Sequence, residues 1–217
     1  MLRGLFVTGT DTGIGKTVAC AALLHRYRNI AHLRYWKPVQ TGIEQDDDTA
    51  EVQRLTECDV ARGIRLRHPV SPHLAAQLAR TRITVEMLHS GLPASAGELR
   101  WIVEGAGGVL VPLNEQELMI DLMRALGLPV VVAARSGLGT INHTLLTLEA
   151  LRARSLCVAG VVMCGASNPD NRKAIEEYGG CRVLGEMPRF APLTRSALHT
   201  WAHTELDPEG HLAGFLR

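Results

Sequence analysis

The segment GTDTGIGKT, residues 9–17, constrains this chain more than any other part of its sequence. It follows a short apolar run at residues 2–8, typical of a strand, and it opens an amphipathic stretch at residues 16–27, typical of a helix. A glycine-rich turn in that position presents backbone N–H groups and a helix N-terminus, and both attract phosphate. The Lys16 ammonium can neutralise phosphate oxygens, and the Thr17 hydroxyl can ligate Mg²⁺. The segment therefore predicts a nucleotide-binding loop.

The spacing departs from the usual phosphate-loop pattern GxxxxGK[ST], because five residues separate Gly9 from Gly15 here instead of four. The alternative interpretation is a glycine-rich turn that carries a chance Gly-Lys-Thr. The position of the turn between a predicted strand and a predicted helix favours nucleotide binding.

Apolar β-branched runs alternate with amphipathic stretches along the rest of the chain. Strands are predicted at residues 2–8, 33–39, 101–105, 130–134 and 157–163, and helices at residues 16–27, 48–56, 72–81, 117–126, 140–153 and 169–178. The stretch after Pro188 is predicted to be rich in loops, with one weak helix. This alternation predicts an α/β, P-loop NTPase-like fold, a mostly parallel sheet with helices on both faces. The length of 217 residues suits one domain over residues 1–217.

Composition argues against several classes of function. Lys and Arg number 23 against 22 Asp and Glu, so no overall field favours nucleic acid or an anionic membrane. The five cysteines show no CxxC and no paired spacing, which indicates free thiols in a reducing compartment. The apolar run at the N-terminus is too short for a signal sequence or a membrane span. We therefore expect a cytoplasmic protein whose anionic ligands are held by a local site.

Acidic residues occur where a phosphoryl-transfer site would need them to hold a metal ion. Glu104 ends an apolar run and leads into Gly-Ala-Gly-Gly, residues 105–108, where glycines allow a ligand to approach. Such an acid is either a metal ligand or an ordinary loop residue. The run Asp46, Asp47 and Asp48 is a second candidate, although two of the three fit a solvated loop and a helix N-cap.

Two further polar segments follow predicted strands. Lys37 lies in KPVQTG at the carboxyl end of the second strand, on the edge where parallel sheets bind ligands. The segment SGLGTINHT, residues 136–144, has a glycine-rich turn and a helix start, which is a candidate anion site. Since the phosphate loop already accounts for a nucleotide, a substrate carboxylate is the anion that we favour there.

Taken together, GTDTGIGKT, KPVQTG, Asp48, SPHLAAQ, VEGAGG with VPL, and LGTINHTLLT resemble the motif series of the dethiobiotin synthetases, from the N-terminus to about Met163. The resemblance implies a P-loop ligase of biotin biosynthesis, usually a homodimer. Such an enzyme closes a cyclic urea on 7,8-diaminopelargonate with CO₂, with Mg²⁺ as cofactor and ATP as co-substrate. A lengthened phosphate loop is itself a mark of this family.

The resemblance also implies roles for individual residues. Lys16 and Lys37 would be catalytic, and Thr17, Asp48 and Glu104 would bind Mg²⁺. The residues implied to surround the nucleotide are Gly13, Ile14, Gly15, Lys16, Thr17, Val18, Cys164 and Pro188. Those implied to contact the substrate are Thr12, Lys37, Thr41, Gly139, Thr140, Ile141 and Asn142. The partner subunit would contribute the stretch from Gly139 to Asn142, which places the substrate site at the dimer interface.

Two departures from the family pattern bear on the site. Cys164 stands where the family typically has an asparagine that contacts adenine, and a thiol is a poor hydrogen-bond partner for a base. Gly13 replaces a residue that can be glutamate, which removes a possible side-chain contact near the substrate.

Two alternatives stay open at this point. One is an ATPase switch of the ParA/MinD kind, but those proteins carry a lysine early in the loop, as KGGxGKT, where this chain has Asp11. The other is a P-loop amidoligase of cobalamin synthesis. Those enzymes usually append a glutaminase domain, for which 217 residues would leave no room.

Overall fold

The computed structural model describes residues 2–92 and 99–217. The strands are β1 Gly4–Gly9, β2 Leu33–Trp36, β3 Val39–Thr41, β4 Asp59–Ala61, β5 Ile64–Leu66, β6 Arg100–Gly108, β7 Val130–Arg135, β8 Val158–Cys164 and β9 Val183–Met187. Seven of them form one sheet in the order β4-β2-β6-β1-β7-β8-β9, and β3 pairs with β5 separately. Every one of these strand pairs is parallel. The predicted mostly parallel sheet is confirmed.

Helices cover both faces of the sheet, as predicted. They are α1 Lys16–Tyr27, α2 Asp48–Thr56, α3 Pro72–Leu78, α4 Val85–Ser90, α5 Met119–Leu126, α6 Thr140–Arg152, α7 Pro169–Gly179, α8 Arg195–Thr204 and α9 Ala213–Leu216. Leu5 and Val7 of β1 belong to the core shared with α1, α2 and α8. Phe6 faces the opposite core, which contains residues of α3 to α7. Alternation along one buried strand thus supplies both hydrophobic layers.

Local capping explains why several helices begin and end where they do. The Asp47 carboxylate accepts a hydrogen bond from the Ala50 N–H at 3.1 Å and so starts α2. Asn168 caps α7, with Pro169 in its first turn. Gly127 adopts φ 64° immediately after α5, a conformation that favours glycine. The bounds of α1 and α2 match their predictions.

The prediction of one strand over residues 33–39 was wrong. β2 ends at Trp36, and β3 begins at Val39 and pairs with β5 outside the main sheet. Pro38 separates them because it has no N–H to donate to a ladder. The three-residue strands β4 and β5, the six-residue helix α4, and β9 were not predicted.

The prediction for the C-terminal stretch was also wrong in detail. The stretch is rich in loops, as predicted, but it contains two helices instead of one, the ten-residue α8 and the four-residue α9. Thr194 caps α8, and Leu198, Trp201 and Ala202 are buried against the sheet. Within the described residues, no helix is both long enough and apolar enough to cross a bilayer. All five cysteines are free thiols.

Candidate nucleotide and metal site

The phosphate loop connects the end of β1 to the start of α1. Gly15 precedes the helix with φ 103°, and a Cβ there would lie 3.2 Å from Met187 Cε and 3.3 Å from Cys164 Sγ. Both its conformation and this close contact therefore favour glycine. The Lys16 ammonium donates to the backbone oxygen of Asp11 at 2.8 Å, so it already lies against the loop.

Four of the predicted site residues meet beside this loop. The Thr17 hydroxyl lies 2.8 Å from Asp48 Oδ1 and 3.1 Å from Glu104 Oε1. The Lys37 ammonium donates to Glu104 Oε1 at 2.5 Å and also contacts Asp48 Oδ2. Glu104 is 1% exposed and Lys37 5% exposed, so these charges are held away from bulk water. The three predicted metal ligands and one predicted catalytic lysine form a single cluster, here called the phosphate-end cluster.

Neighbouring strands bring this cluster together. β6 lies between β1 and β2, with Val7 opposite Glu104 on one side and Trp36 opposite Val103 on the other. Lys37, the next residue after Trp36, therefore comes level with Glu104. α2 begins at Asp48 and supplies the second carboxylate from above the sheet edge.

Burial and charge act differently on the two lysines. Burial lowers the pKa of Lys16, and the nearby charge of Lys37 adds to that effect, although Glu104 opposes it. Burial alone would also lower the pKa of Lys37, but the carboxylates of Glu104 and Asp48 outweigh it and raise that pKa. Lys37 is thus held as an ammonium ion by two acids, whereas the Lys16 ammonium donates to the backbone carbonyl of Asp11.

A cavity of about 480 Å³ opens in front of the cluster. Its lining includes the predicted residues Thr12, Gly13, Gly15, Lys16, Thr17, Lys37, Thr41, Asp48 and Glu104. The rest of the lining comes mainly from residues 42–46, 69–72 and 106–111. The predicted phosphate, metal and substrate contacts from the first half of the chain thus share one space.

The predicted substrate residues at the start of α6 do not line this cavity. Gly139 caps the helix with φ 90°, and Thr140 is 3% exposed, with its hydroxyl donating to the backbone oxygen of Arg135. Asn142 is exposed and Ile141 is partly exposed. Within one chain, Gly139, Ile141 and Asn142 are thus at least partly exposed, and the stretch lies outside the lining of this cavity.

The predicted base contacts lie elsewhere, near a second cavity of about 630 Å³. Its lining residues are Gly165, Ala166, Ser167, Arg172, Gly185, Glu186, Pro188, Arg189, Trp201 and Glu205. Pro188 is one of these lining residues, and Cys164 directly precedes the lining at the end of β8. The Cys164 thiol points toward the Val162 backbone oxygen at 3.7 Å, and burial raises its pKa to about 12. We call this region the base end.

Two predicted nucleotide contacts serve largely in packing. The Ile14 side chain is 5% exposed, and its Cδ1 lies 2.5 Å from where a Cβ on Gly9 would be. Val18, on α1, is partly buried and packs against the core that contains Leu5. Any contact that these residues make with a nucleotide would come from their backbone or side-chain edges.

Sequence reasoning missed three residues close to these sites. The Tyr35 hydroxyl donates to Glu104 Oε2 at 2.7 Å, and Tyr35 is fully buried. Burial and the Glu104 charge raise the pKa of Tyr35 well above its usual range, and the same two causes act on the Cys20 thiol. Trp201 of α8 lines the base end. Two sequence spacings could have revealed Tyr35 and Cys20. Tyr35 precedes Lys37 by two positions, the spacing that puts side chains on the same side of an extended chain. Cys20 follows Thr17 by three positions on α1, the spacing of one helix face.

The two remaining aspartates behave as expected for a solvated loop and an N-cap. Asp47 caps α2 and pairs with Arg65, with 2.6 Å between Oδ2 and Nη2. That hydrogen bond lowers the pKa of Asp47 to about 2. Asp46 is exposed. Only Asp48 of the three therefore reaches the phosphate-end cluster.

The donor set of the cluster suits Mg²⁺. Within the part of the chain that the structure describes, no three His, Cys, Asp or Glu side chains gather as a metal-binding group. The cluster instead offers two carboxylates and one hydroxyl. Mg²⁺ prefers such oxygen ligands, and it commonly takes its remaining ligands from phosphates and water.

Comparison with known proteins places these residues in context. A family model described as an AAA domain matches residues 3–197. The chain is 48% identical to the ATP-dependent dethiobiotin synthetase BioD of Paramagnetospirillum magneticum, over 91% of this chain and 93% of that protein. It is 45% identical to BioD of Brucella melitensis, over 90% of each. It is also 48% identical to the biotin biosynthesis bifunctional protein BioCD of Bordetella avium, over 92% of this chain and 42% of that longer protein.

Solved structures with a similar fold are much more distant in sequence. A ParA family ATPase from Chlorobium tepidum matches with a TM-score of 0.57 at 9% identity, over 93% of this chain and 98% of that one. A chain of the MinC:MinD complex of Aquifex aeolicus matches with a TM-score of 0.55 at 11% identity, over 92% of this chain and 86% of that one. These likenesses confirm the P-loop NTPase-like fold, and at such identities they carry no information on function.

Proposed function

From the membership of this chain in the dethiobiotin synthetase family, we propose that it closes a cyclic urea on 7,8-diaminopelargonate, using CO₂ and ATP. The observation that carries the proposal is the phosphate-end cluster, where Thr17, Lys37, Asp48 and Glu104 meet beside the phosphate loop. Such a site can bring an anionic acceptor against a triphosphate. The ParA/MinD-like alternative is disfavoured because Asp11 stands where that class carries its loop lysine.

The proposed reaction has three steps. One substrate amine attacks CO₂ and loses a proton, which gives a carbamate. A carbamate oxygen then attacks the γ-phosphorus of ATP and expels ADP, which gives a carbamic-phosphoric anhydride. The second amine attacks the carbonyl carbon, loses a proton and expels inorganic phosphate, which closes the ring and forms the second C–N bond.

Lys16 and Lys37 would supply the charge that these steps need. Carbamate and ATP are both anions, so positioning and charge neutralisation can account for much of the rate enhancement. Lys16 lies on the phosphate loop and could exchange its contact with the Asp11 oxygen for a phosphate oxygen. Lys37 contacts the same two carboxylates as Thr17 and lines the same cavity, so the carbamate could approach it there.

Thr17, Asp48 and Glu104 would hold Mg²⁺, which supplies positive charge across the phosphate oxygens when it is bound. The nucleotide would lie along Gly13, Ile14, Gly15, Lys16, Thr17 and Val18, with its base near Cys164 and Pro188. Thr12 and Thr41 line the same cavity as Lys37 and would contact the diamine. In this proposal, phosphate, metal and acceptor would share this one cavity.

We further propose a homodimer in which the start of α6 from one subunit completes the substrate site of the other. The support is that Gly139 to Asn142 do not line the cavity of their own chain. Leu138 beside them is fully exposed, and Leu146 on α6 is 56% exposed. Exposed leucines near a polar helix N-terminus suit a contact with a second copy. The five free thiols support placing the enzyme in the cytoplasm.

The test is a turnover assay in which diamine and bicarbonate are supplied separately and together. We expect phosphate release from ATP, and formation of the cyclic urea, only when both are present. Lys16→Ala, which leaves the rest of the cavity intact, is the control for a contaminating ATPase. Equal hydrolysis without the diamine, or stimulation by DNA or a protein partner, would support the switch ATPase instead.

A further inference from the structure

The Glu104 carboxylate is contacted on both of its oxygens. Oε1 accepts from Lys37 at 2.5 Å and lies 3.1 Å from the Thr17 hydroxyl, on the side of the cavity. Oε2 accepts from the Tyr35 hydroxyl at 2.7 Å. The two oxygens therefore have different roles, one facing the proposed metal and phosphate position and the other held by the fold.

The sheet holds Tyr35 firmly. β2 and β6 are hydrogen-bonded neighbours, with Tyr35 opposite Ile102. The Tyr35 side chain is fully buried, in the core that also contains Ile102. A ring that is packed on all sides has little freedom, so its hydroxyl is a fixed donor. Glutamate has the opposite character, because its terminal torsion is broad and leaves the carboxylate free to rotate unless something holds it.

We propose that Tyr35 is a positioning residue for the metal site, which fixes the Glu104 carboxylate so that Oε1 faces Thr17 and Asp48. The inference rests on the proposed role of these three residues in holding Mg²⁺. A hydrogen bond in a buried, low-dielectric setting orients its acceptor strongly, and partners one shell removed from a metal tune its affinity through the ligand that they hold. Tyr35 itself would not touch substrate or nucleotide.

The chain offers a matched control for this role. Tyr27 is also a buried tyrosine, and its hydroxyl donates to the buried Asp207 carboxylate, far from the phosphate loop along the chain. Tyr35→Phe and Tyr27→Phe therefore each remove one hydroxyl from one buried carboxylate. A merely structural contribution should lower the melting temperature in both variants, whereas only Tyr35→Phe should change metal binding.

The decisive measurement is the dissociation constant of Mn²⁺, read by electron paramagnetic resonance with a non-hydrolysable ATP analogue and no diamine. We expect Tyr35→Phe to weaken Mn²⁺ binding about tenfold, the lower end of what loss of such a partner costs, and Tyr27→Phe to leave it unchanged. In turnover, the Mg²⁺ concentration for half-maximal rate should rise similarly, with kcat at saturating Mg²⁺ close to the wild-type value. Unchanged Mn²⁺ affinity in a folded Tyr35→Phe protein would overturn the proposal.

A second pair of variants tests whether the effect passes through Glu104. In a Glu104→Gln background, Tyr35→Phe should cause no further loss of Mn²⁺ affinity, because the oriented carboxylate is already gone. If Tyr35→Phe weakens Mn²⁺ binding as much in the Glu104→Gln background as in the wild type, the proposal is also overturned. Because the binding measurement needs no diamine, a failure of the cyclisation assay alone would count against the proposed function and not against Tyr35.

Fluorine NMR tests the proposed role of Tyr35 with Tyr35 itself intact, so it applies even if Tyr35→Phe does not fold. The chain has three tyrosines, Tyr27, Tyr35 and the exposed Tyr178, so 3-fluorotyrosine labelling gives three signals. Tyr27→Phe and Tyr178→Phe assign two of them. We expect Mg²⁺ added with the ATP analogue to shift the Tyr35 signal beyond the shift caused by the analogue alone, and to leave the Tyr27 signal in place. A Tyr35 signal that does not respond to Mg²⁺ would contradict the proposal.

Discussion

The two ends of the proposed nucleotide site are built in contrasting ways. At the phosphate end, side chains from α1, the residue after β2, α2 and β6 meet at hydrogen-bond distance, and Lys37 and Glu104 among them are buried. At the base end, Cys164 contributes a weakly polar thiol, and the cavity is lined in part by Gly165, Pro188 and Trp201. The first region is a prearranged electrostatic site. The second also has charged lining residues, Arg172, Glu186, Arg189 and Glu205, but the side chain at the predicted base contact is the weakly polar Cys164 thiol.

This difference predicts that the phosphate end controls the rate of the reaction and that the base end controls the choice of nucleotide base. Charges that are already oriented need little reorganisation during a reaction, so substitutions at the phosphate end should affect turnover strongly. A base is selected strongly only where the wrong base would leave polar groups unpaired. Substitutions at the base end should therefore change preference by small amounts.

The largest effects are expected from the two lysines of the phosphate end. Lys16→Ala and Lys37→Ala should each reduce kcat more than they weaken substrate binding, with losses of about 2–4 kcal/mol in transition-state stabilisation. The two variants should differ in their free energy of unfolding. Removal of Lys37 leaves Glu104 buried without its ion-pair partner, a change that costs about 3–5 kcal/mol in comparable cases, whereas the Lys16 ammonium donates to the Asp11 carbonyl. Steady-state kinetics and thermal melts measure the two effects.

Near-normal turnover of a folded Lys37→Ala protein would show that this lysine lies outside the reacting site. Equal melting temperatures for the two variants would show that the Lys37 contacts with Glu104 and Asp48 contribute little to the fold.

An intermediate effect is expected from Asn142, which would reach the phosphate end only from a partner subunit. Asn142→Ala should raise the KM for the diamino acid roughly tenfold, as for loss of a hydrogen bond to a charged group, and leave the KM for ATP nearly unchanged. Mixing it with Lys16→Ala should restore one intact site per heterodimer. If subunit exchange is demonstrated by labelling and activity does not return, each site is built within one chain.

A smaller effect is expected at the base end. The wild-type protein should accept CTP, GTP or UTP with appreciable turnover, since Cys164 discriminates weakly and the phosphate loop contacts only the triphosphate. Cys164→Asn should shift the preference toward ATP by about 1 kcal/mol, the net contribution of an ordinary hydrogen bond. Cys164→Ser is the matched control, because it keeps the size of the side chain without supplying an amide.

A panel of the four nucleotides at matched Mg²⁺ measures this preference as ratios of kcat/KM. If the wild type is already strict for ATP and Cys164→Asn changes nothing, backbone groups near Pro188 select the base instead.

The smallest effect is expected away from both ends, at the contact between α1 and α8. His25 is 1% exposed, and its Nε2 lies 3.0 Å from the Leu55 oxygen, with the His199 ring 5.3 Å away. Burial lowers the pKa of His25 below its ordinary value of 6.5, helped by His199 and the charges of Arg195 and Arg28. Unfolded chains then bind more protons than folded ones just below pH 6.5. The free energy of unfolding should therefore fall as pH drops from about 6.5 through the lower folded-state pKa.

Urea titrations between pH 5 and pH 8 measure this dependence. His25→Gln should flatten it in that range, and the same change at the exposed His89 should not. A pH dependence that is unaltered in His25→Gln would assign the effect to other groups.

Much of the phosphate end could be predicted from the sequence because its signals are local. The loop from Gly9 to Thr17 is contiguous, Asp47 caps α2 within three residues, and Glu104 and Lys37 each follow an apolar run that ends at the ligand edge of a parallel sheet. A pattern within one short segment is sufficient to predict each of these features. That the chain forms a single domain, and which residues bind each ligand, stay predictions.

The contact of Tyr35 with Glu104 and the assembly of the base end depend on tertiary structure. The contact between Tyr35 and Glu104 joins residues 69 positions apart through the pairing of β2 with β6, and no local pattern records which strands become neighbours. The base end likewise needs β8, β9 and α8 together, and Trp201 of α8 is buried in a core that also contains residues of α1, α2 and β9. Hydrogen bonds along a helix or turn are made within one segment, whereas sheet order and core packing depend on the whole chain.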